Sequence, residues 1–362
     1  MFRYLARKGF FAIPLTVLFT LLLSSSFLTS VPPVSALGLH HQDRTLGTAA
    51  ADRHRIFGTA VVGNLLGTTP YTTVLDTQFS GVTPGNEMKW ETTEPTRGTF
   101  NFGPADTIVN HALSHGMKVR GHTLVWHNQL APWVSTITDG ADLLRALKNH
   151  ITTEVSHFRG KLWYWDVVNE AFNEDGTLRS DIFENEIGDS YIADAFKAAH
   201  AADPRVKLCY NDYNIEGINA KSDAVYAMVK NFKAHGVPIN CVGFQSHLIV
   251  GLVPSDMQAN LERFARLGVD VQITELDIRM PTPASDANLQ QQAVDYTSVV
   301  NACLAVFRCN DITTWGIGDA DSWIPAFFQG QGAALLFDTN YDKKAAYFAV
   351  MHALKDKHWN QG

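Results

Sequence analysis

The chain has 362 residues, of which 46% are hydrophobic, and its 36 acidic side chains against 29 basic ones give a formal net charge of −7 at pH 7. This acidic balance argues against a polyanionic partner such as nucleic acid. The length suits one large α/β domain or two small ones, and the apolar content is sufficient for an extensive core.

The first 36 residues have the features of a secretory signal peptide. Basic residues at positions 3, 7 and 8 precede an almost wholly apolar run from Phe10 to Leu23, and Val34-Ser35-Ala36 fits the small-residue pattern of a cleavage site. The apolar run is too short to favour a membrane span, so an uncleaved anchor is the less favoured alternative. We therefore expect a secreted, extracellular protein with no membrane association after cleavage.

Residues 37–50 show no apolar period, and we expect them to form a flexible lead-in. Neither a linker rich in proline, serine and threonine nor a low-complexity tract follows. A single continuous domain is therefore predicted over residues 51–362.

Eight short, largely apolar runs recur along this domain, and several are apolar throughout, as strands buried on both faces are. The predicted strands are 56–62, 81–88, 118–126, 163–170, 207–214, 241–248, 270–277 and 312–319. Helical stretches are predicted at 104–114, 142–158, 190–202, 220–235, 257–267, 285–306 and 343–354. Eight strands alternating with helices predict an α/β fold, the (β/α)₈ TIM barrel. A doubly wound open sheet is the alternative, but Gly58–Gly63 lacks the glycine-rich nucleotide fingerprint.

Polar and aromatic side chains collect at seven of the predicted strand ends, which in a barrel of this kind meet at one face. They include Asn86, Glu87, Lys89, Trp90, His122, Trp126, His127, Gln129, Asn169, Glu170, Asn211, Asp212, Tyr213, Asn214, Gln245, His247, Glu275, Asp277 and Trp315, with Trp323 just beyond. So many strand ends with the same character predict a cleft of hydrogen-bonding groups and flat rings, which is what a sugar chain needs.

Two glutamates stand at the ends of strand-like runs: Glu170 closes Trp163–Glu170, and Glu275 lies within Val271–Asp277. A carboxylate at the exit of a buried apolar strand is poorly placed for stability, because desolvation disfavours its charge. A pair of structural ion-paired acids is one interpretation. Two such glutamates among polar and aromatic neighbours favour catalysis instead, since two carboxylates are the minimum machinery for cleaving a glycosidic bond.

All four cysteines follow the predicted signal peptide: Cys209, Cys241, Cys303 and Cys309. An even count in an oxidising compartment predicts two disulfides, and the sequence alone allows three pairings. Zinc binding is the less favoured alternative, because no Cys-x-x-Cys knuckle is present.

One pair of histidines has a spacing that could bind a metal. His111 and His115 are four residues apart on a predicted helix. No acidic or histidine partner is evident near them in sequence, so we expect surface or helix-packing roles.

Four motifs occur together in order: Asn86–Trp90, Gly121–His127, Trp165–Glu170 and Ile273–Asp277. As an ordered set they resemble the endo-1,4-β-xylanases of glycoside hydrolase family 10, and the likeness runs from about Phe57 to Ala349. The resemblance implies a secreted enzyme on a (β/α)₈ barrel, acting on xylan and xylooligosaccharides, with no cofactor or metal and with a monomeric state. It also implies the disulfide pairs Cys209–Cys241 and Cys303–Cys309.

By this resemblance, Glu170 is the general acid/base and Glu275 the nucleophile of a retaining double displacement, which needs carboxyl groups about 5–5.5 Å apart. Four residues support this pair: Asn169, Gln245, His247 and Asp277. His247 and Asp277 would orient Glu275 and keep it ionised, and Asn169 would hydrogen-bond the 2-hydroxyl of the reacting sugar.

The resemblance also assigns the substrate-binding residues. The glycone side is matched by Asn86, Lys89, His122, Trp126 and Gln129, the aglycone side by Tyr213 and Asn214, and the walls around the reacting sugar by Trp315 and Trp323. A tryptophan packed against C5 leaves little room for a hydroxymethyl group, so xylose is expected to be preferred over glucose.

Two departures from the family pattern affect the cleft. Gly85 stands where the family usually has a glutamate, and its loss is expected to weaken binding of the second glycone sugar by roughly 1.5–3 kcal/mol, the worth of one hydrogen bond to a charged group. Ile324–Gly332 replaces a loop that often begins with arginine. The alternatives are a β-1,4-glucanase or mixed-specificity enzyme on the same barrel, and a non-catalytic sugar-binding barrel, which the presence of both carboxylates disfavours.

Overall fold

A computed structural model describes residues 44–356, which belong to one compact unit. The predicted signal peptide and the first part of the predicted lead-in lie outside the described residues. Between residues 44 and 356, no helix combines the length and the apolar character that crossing a membrane requires.

Eight parallel strands form a closed barrel. They are β1 (Ile56–Val61), β2 (Gly81–Pro84), β3 (Lys118–Gly121), β5 (Tyr164–Asn169), β6 (Lys207–Asp212), β7 (Cys241–Phe244), β9 (Asp270–Pro281) and β10 (Cys309–Thr314). Their order is β10-β1-β2-β3-β5-β6-β7-β9, and the pairing of β9 with β10 closes the ring. Three short strands lie at its edge: β4 (Val125–Trp126) pairs with β5, β8 (His247–Ile249) with β9, and β11 (Gln331–Gly332) antiparallel to β9.

Helices alternate with these strands. They are α1 (Leu46–Ala51), α2 (Tyr71–Gln78), α3 (Trp90–Thr93), α4 (Gly103–Ser114), α5 (Gly140–His157), α6 (Ile182–Ile187), α7 (Ser190–Ala202), α8 (Ala220–Ala234), α9 (Met257–Arg266), α10 (Asp286–Ala305), α11 (Ile324–Phe327) and α12 (Ala345–Lys355). Their buried apolar faces form one continuous core with the barrel. The predicted (β/α)₈ fold is thereby confirmed.

The predicted lead-in is wrong for its last residues, because helix α1 begins at Leu46. Thr45 caps this helix in a reciprocal capping box with Thr48, and Leu46, Ala49 and Ala50 are completely buried. Gly47 obscured the helical pattern in the sequence. A Cβ atom at this position would lie 3.1 Å from the Cβ of Ser80, so the close packing of α1 on the barrel favours glycine.

The interior of the barrel holds a polar cluster. Arg120 on β3 donates through Nε to Asp166 on β5 at 2.9 Å and also donates to Gln272 on β9. Arg120 and Asp166 are 4% and 1% exposed. Gly243 on β7 makes room for the neighbouring polar side chains, since a Cβ there would overlap Asn211 Oδ1 and lie 3.0 Å from Arg120 Nη2. The cluster is therefore a buried ion pair between Arg120 and Asp166, and its hydrogen bonds hold neighbouring side chains in position.

Two predicted strands are interrupted near the polar end of the barrel. The predicted strand 118–126 divides into β3 and β4, and 241–248 divides into β7 and β8. Ser246, in the second interruption, has a φ of 62°, in the left-handed region that side chains rarely adopt. These bends come where His122 and Gln245 enter the cleft.

Both disulfides implied by the family resemblance are confirmed. Cys209 and Cys241 are register partners on β6 and β7, with Cα atoms 4.5 Å apart. Cys303 on α10 joins Cys309 at the start of β10, with Cα atoms 5.2 Å apart. The first closes a loop of 32 residues and the second a loop of 6, so the first removes more chain entropy in the loop-closure model.

The first and last described helices pack against each other, at the end of the barrel where the strands begin. Helix α1 contacts α12, and the guanidinium of Arg53 donates to the backbone carbonyl of Asp356. This contact brings the two ends of the described chain side by side.

Candidate active site

A cleft of about 1210 Å³ opens at the carboxyl ends of the strands. It is lined by almost all of the predicted site residues: Asn86, Lys89, His122, Trp126, Gln129, Asn169, Glu170, Tyr213, Asn214, Gln245, His247, Glu275, Trp315 and Trp323. Asp277 is the exception, because it lies behind His247 and is completely buried. The volume exceeds that of an ordinary small-molecule pocket and is suited to several sugar rings.

Glu275 lies within β9 and is 4% exposed. Its Oε1 accepts a hydrogen bond from Asn211 Nδ2 at 2.7 Å, and its Oε2 lies 3.1 Å from His247 Nε2. Burial alone would raise the pKa of Glu275, but neighbouring His122 and the hydrogen bond from His247 together hold it below its ordinary value. The side chain is therefore a buried carboxylate that faces the cleft in its ionised form.

His247 connects Glu275 to Asp277. Its Nδ1 lies 2.9 Å from Asp277 Oδ2, so both ring nitrogens donate to carboxylates. Burial would lower the pKa of His247, but the charge of Asp277 and the hydrogen bonds to both carboxylates raise it to about 10. Trp323 Nε1 donates to the same Asp277 oxygen at 2.8 Å. It therefore holds Asp277 in place at the end of the hydrogen-bonded series Glu275–His247–Asp277.

Glu170 follows β5 with a φ of 59°, an unusual conformation for a residue other than glycine. Its backbone N–H donates to Asn211 at 3.0 Å, and its backbone oxygen accepts from Arg179 at 2.9 Å, so both sides of the bend are held. In the side chain, Oε2 accepts from Trp126 Nε1 at 2.8 Å and Oε1 from Gln245 Nε2 at 3.0 Å. The bend thus aims the carboxyl group into the cleft.

Three side-chain amides connect the two glutamates. Gln245 Nε2 donates to both Glu170 and the Oδ1 of Asn169, the latter at 3.2 Å. Asn211 Nδ2 donates to the same Asn169 oxygen at 2.9 Å and to Glu275. A continuous hydrogen-bonded chain therefore fixes the position of one carboxylate relative to the other.

His122 is oriented by the barrel interior. Its Nδ1 donates to Asp166 Oδ2 at 3.0 Å and lies 3.9 Å from Glu275 Oε1. Because Asp166 is itself paired with Arg120, the buried charge cluster fixes a side chain next to Glu275.

Three residues of the predicted glycone side form one network. Lys89 Nζ donates to Asn86 Oδ1 at 3.2 Å and to Gln129 Oε1 at 2.7 Å, and it lies 4.8 Å from the centre of the Trp126 ring. Burial lowers the pKa of Lys89, against the opposing charges of Glu275 and Glu170. The network presents a pre-positioned set of donors to the cleft.

Gly85 lies beside this network and leaves the position of the usual family glutamate without a side chain. A Cβ atom there would lie 3.2 Å from the backbone oxygen of Val61, so a larger residue fits only after a slight shift.

One of the predicted aglycone residues, Tyr213, packs against a buried lysine. The Nζ of Lys221 lies 3.5 Å from the centre of the Tyr213 ring and 2.9 Å from Asp212 Oδ1. Burial raises the pKa of Asp212 to about 7, although Lys221 opposes the rise. Asn214 donates to Glu174 at 3.3 Å, so this end of the cleft is also pre-arranged by polar contacts.

Trp315 and Trp323 stand around the histidines of the cleft. The Trp315 ring lies edge-on to His122 at 5.1 Å, and the Trp323 ring edge-on to His247 at 5.0 Å. Beyond Trp323, the loop that departs from the family pattern forms α11, in which Phe327 is 73% exposed at the rim of the cleft.

Sequence reasoning missed the role of one residue in the site. The sequence indicates only that Asn211 is polar and lies at a strand end, yet it contacts Glu275, Asn169 and the backbone of Glu170. Its position at the end of β6, facing the ends of β5 and β9, was the available signal.

Comparison with known proteins agrees with this geometry. The family model described as glycosyl hydrolase family 10 matches residues 45–353. The chain belongs to glycosyl hydrolase family 10. An endo-1,4-β-xylanase from Agaricus bisporus is 48% identical over 86% of this chain and 93% of its own length.

Solved structures of the family superimpose closely. A glycosylated family 10 endo-β-1,4-xylanase from Gloeophyllum trabeum gives a TM-score of 0.84 at 46% identity, covering 86% of this chain and 99% of its own. Xylanase 10B from Thermotoga petrophila, solved in complex with xylobiose, gives a TM-score of 0.85 at 42% identity, covering 87% of this chain and 98% of its own. The enzyme is therefore a family 10 glycoside hydrolase.

Replacing His247 by alanine is expected to shift the acid limb of the kcat/KM profile to higher pH. The substitution removes a charged donor from Glu275, so the pKa of Glu275 rises and a higher pH is needed to ionise it. On the acid side kcat/KM should fall by roughly 10- to 150-fold, the worth of one charged hydrogen bond of about 1.5–3 kcal/mol.

The measurement is kcat/KM on an aryl β-xyloside across the pH range. His200→Ala, at an exposed position on α7, is the matched histidine control and should keep the wild-type profile. An unshifted acid limb in His247→Ala would show that His247 does not hold Glu275 in its ionised form.

Proposed function

We propose that the protein is an endo-1,4-β-xylanase that hydrolyses internal β-1,4 bonds of xylan with retention of configuration. The observation that carries the proposal is the buried, ionised Glu275, which shares one cleft and one chain of amides with Glu170. The names of the family relatives support xylan as the substrate and favour it over cellulose.

In the first step Glu275 attacks the anomeric carbon, and the bond from that carbon to the leaving sugar oxygen breaks. Glu170 supplies the proton that the leaving oxygen needs. Trp126 and Gln245 donate to the Glu170 carboxyl group, so they stabilise the negative charge that this proton transfer leaves behind.

In the second step Glu170 takes a proton from water, and the water oxygen attacks the anomeric carbon. The covalent bond to Glu275 breaks and its carboxylate is regenerated. Asn211 and His247 donate to the two oxygens of that carboxylate, so they favour its departure. Asn169 would bond the 2-hydroxyl, where contacts strengthen toward the transition state.

Substrate binding follows from the arrangement of the cleft. The Asn86–Lys89–Gln129 network, with His122 and Trp126, would hold the glycone sugars, and Tyr213 and Asn214 the aglycone sugars. Trp315 and Trp323 would wall the reacting sugar and leave little room for a hydroxymethyl group. Secretion and a monomeric state are part of the same proposal, and the two disulfides support an oxidising compartment.

The test is reducing-end release from xylan and from carboxymethylcellulose under the same conditions. We expect xylan to be degraded to oligosaccharides with an early fall in viscosity, as internal cleavage requires, and carboxymethylcellulose to be degraded far more slowly. Equal rates on the two polymers would contradict the proposal and indicate a mixed-specificity enzyme instead. Binding of xylooligosaccharides without cleavage would replace it by a sugar-binding protein.

A further inference from the structure

Three side chains of metal-ligand type converge on the outer surface, between helices α2 and α4. Asp76 lies on α2, His111 on α4, and His115 immediately follows the last residue of α4. They form the one such group found among residues 44–356. None of the three lines the active-site cleft.

The ligand atoms already point at one another. His111 Nε2 lies 2.7 Å from Asp76 Oδ1, and His115 Nε2 lies 3.4 Å from Asp76 Oδ2. The two imidazole rings are stacked with centroids 4.4 Å apart, and both Nε2 atoms face the Asp76 carboxylate. One ligand atom from each residue lies within 4.8 Å of the others.

His115 is held in a tautomer suited to ligation. Its Nδ1 lies 2.9 Å from the backbone oxygen of His111, and a carbonyl can only accept, so Nδ1 carries the hydrogen. In the neutral ring Nε2 then presents a lone pair to the Asp76 carboxylate, at a distance longer than a good hydrogen bond. Only a second proton or a cation between the two groups makes this contact favourable. A backbone carbonyl on the other ring nitrogen is also the usual outer support of a metal-binding histidine.

We propose that Asp76, His111 and His115 bind a divalent transition-metal ion, with Zn²⁺ as the preferred occupant. Two imidazoles and one carboxylate suit zinc better than calcium or magnesium. With bonds of about 2.0–2.2 Å, a tetrahedral ion places its ligand atoms roughly 3.3 Å apart, close to the 3.4 Å between His115 Nε2 and Asp76 Oδ2. His111 Nε2, now 2.7 Å from Asp76 Oδ1, would exchange this hydrogen bond for the metal and move slightly outward. The three side chains are 21%, 24% and 40% exposed for His111, Asp76 and His115, so water can enter and supply the fourth ligand.

The position of the site indicates its effect. Helix α4 ends just before β3 begins, and α2 just before β2, so the ion would lie at the opposite end of the barrel from the cleft. There it would clamp a helix of eight residues to its neighbour. We expect bound metal to raise thermal stability without taking part in the hydrolysis.

The experiment uses the protein without an affinity tag, stripped with a chelator and titrated with Zn²⁺ by calorimetry, with melting temperature measured in parallel. Wild type should bind one equivalent that raises the melting temperature, as ligand binding to the folded state requires. Asp76→Asn and His115→Ala should each weaken this binding at least about tenfold and remove the thermal shift. Cobalt substitution should give the visible bands of a four-coordinate ion in wild type and not in the variants.

His235→Ala is the matched control. His235 follows the last residue of α8 as His115 follows α4, and its Nδ1 lies 2.9 Å from the backbone oxygen of Asn231. No carboxylate pairs with it among the described ion pairs, so this variant should bind zinc like wild type. The proposal fails if wild type binds no more zinc than Asp76→Asn, or if His235→Ala loses as much affinity as His115→Ala. The Asp76→Asn substitution nearly conserves the shape of the side chain. If this variant is folded by circular dichroism and no longer binds zinc, the result supports Asp76 as a metal ligand.

Discussion

Replacing Glu275 by alanine is expected to lower kcat on xylan by roughly 10⁴-fold or more, because no covalent glycosyl-enzyme can form without the nucleophile. Wild type and variant are compared by reducing-end release and by turnover of an activated aryl β-xyloside. Glu262→Ala is the control, since Glu262 lies on the outer helix α9 and pairs with Arg266. Normal turnover of the aryl xyloside by Glu275→Ala would show that the nucleophile is another group.

Azide separates the roles of the two glutamates. In Glu275→Ala azide can occupy the vacated space and attack directly, so the glycosyl azide should have inverted configuration. In Glu170→Ala an aryl xyloside with a good leaving group still forms the intermediate on Glu275, and azide then gives a product of retained configuration. If Glu275→Ala gave the azide of retained configuration and Glu170→Ala the inverted one, Glu170 would be the nucleophile and Glu275 the acid/base.

The second large effect is expected from Arg120→Met, which leaves Asp166 buried without its guanidinium partner and with only His122 beside it. Removing one partner of a buried ion pair costs about 3–5 kcal/mol of unfolding free energy. Burial would raise the pKa of Asp166, but Arg120 and His122 hold it below its ordinary value, so Asp166 stabilises the fold at neutral pH and less as the pH falls. Without Arg120 the pKa of Asp166 rises, and the loss should be greatest at neutral pH and smaller in acid.

Urea unfolding at neutral and acidic pH measures this loss. Arg120→Met with Asp166→Asn is the control, because it removes both charges while leaving an amide oxygen that can accept from His122. This double variant should recover most of the lost stability. A single variant as stable as wild type at neutral pH would mean that water enters the barrel and solvates Asp166.

The barrel was predictable because its strands are apolar and its functional side chains come at strand ends. The strand that ends at Glu170 was predicted within one residue at each end. Sequence could not show that two of the strands break in two. Those breaks are set by contacts with side chains of other strands, which a local pattern does not contain.

Helix α2 was missed for a local reason. Three threonines and a valine within its eight residues have low helix propensity, and the helix is stabilised instead by burial of Tyr71 and Leu75, one turn apart. The missing helix also hid Asp76. His111 and His115 lie at the surface between α2 and α4, as predicted, and Asp76 is a partner that is distant from them in sequence.

The catalytic residues proposed from the sequence are brought into one cleft, and the family resemblance already assigns supporting roles to two of the amides between them, Asn169 and Gln245. Asn211 is an ordinary polar residue in sequence and has no such assignment. Its importance depends on the closed ring of strands, which places the ends of β5, β6, β7 and β9 around the same point.

The contact between α1 and α12 has a practical consequence for engineering the enzyme. Because the first and last described helices meet where the strands begin, a second protein fused near residue 44 or residue 356 would be attached at the base of the barrel. The open cleft is at the other end, so a long polysaccharide could still thread through it. The same adjacency makes joining these two positions by a short linker, with new ends opened in a surface loop, a realistic circular permutation.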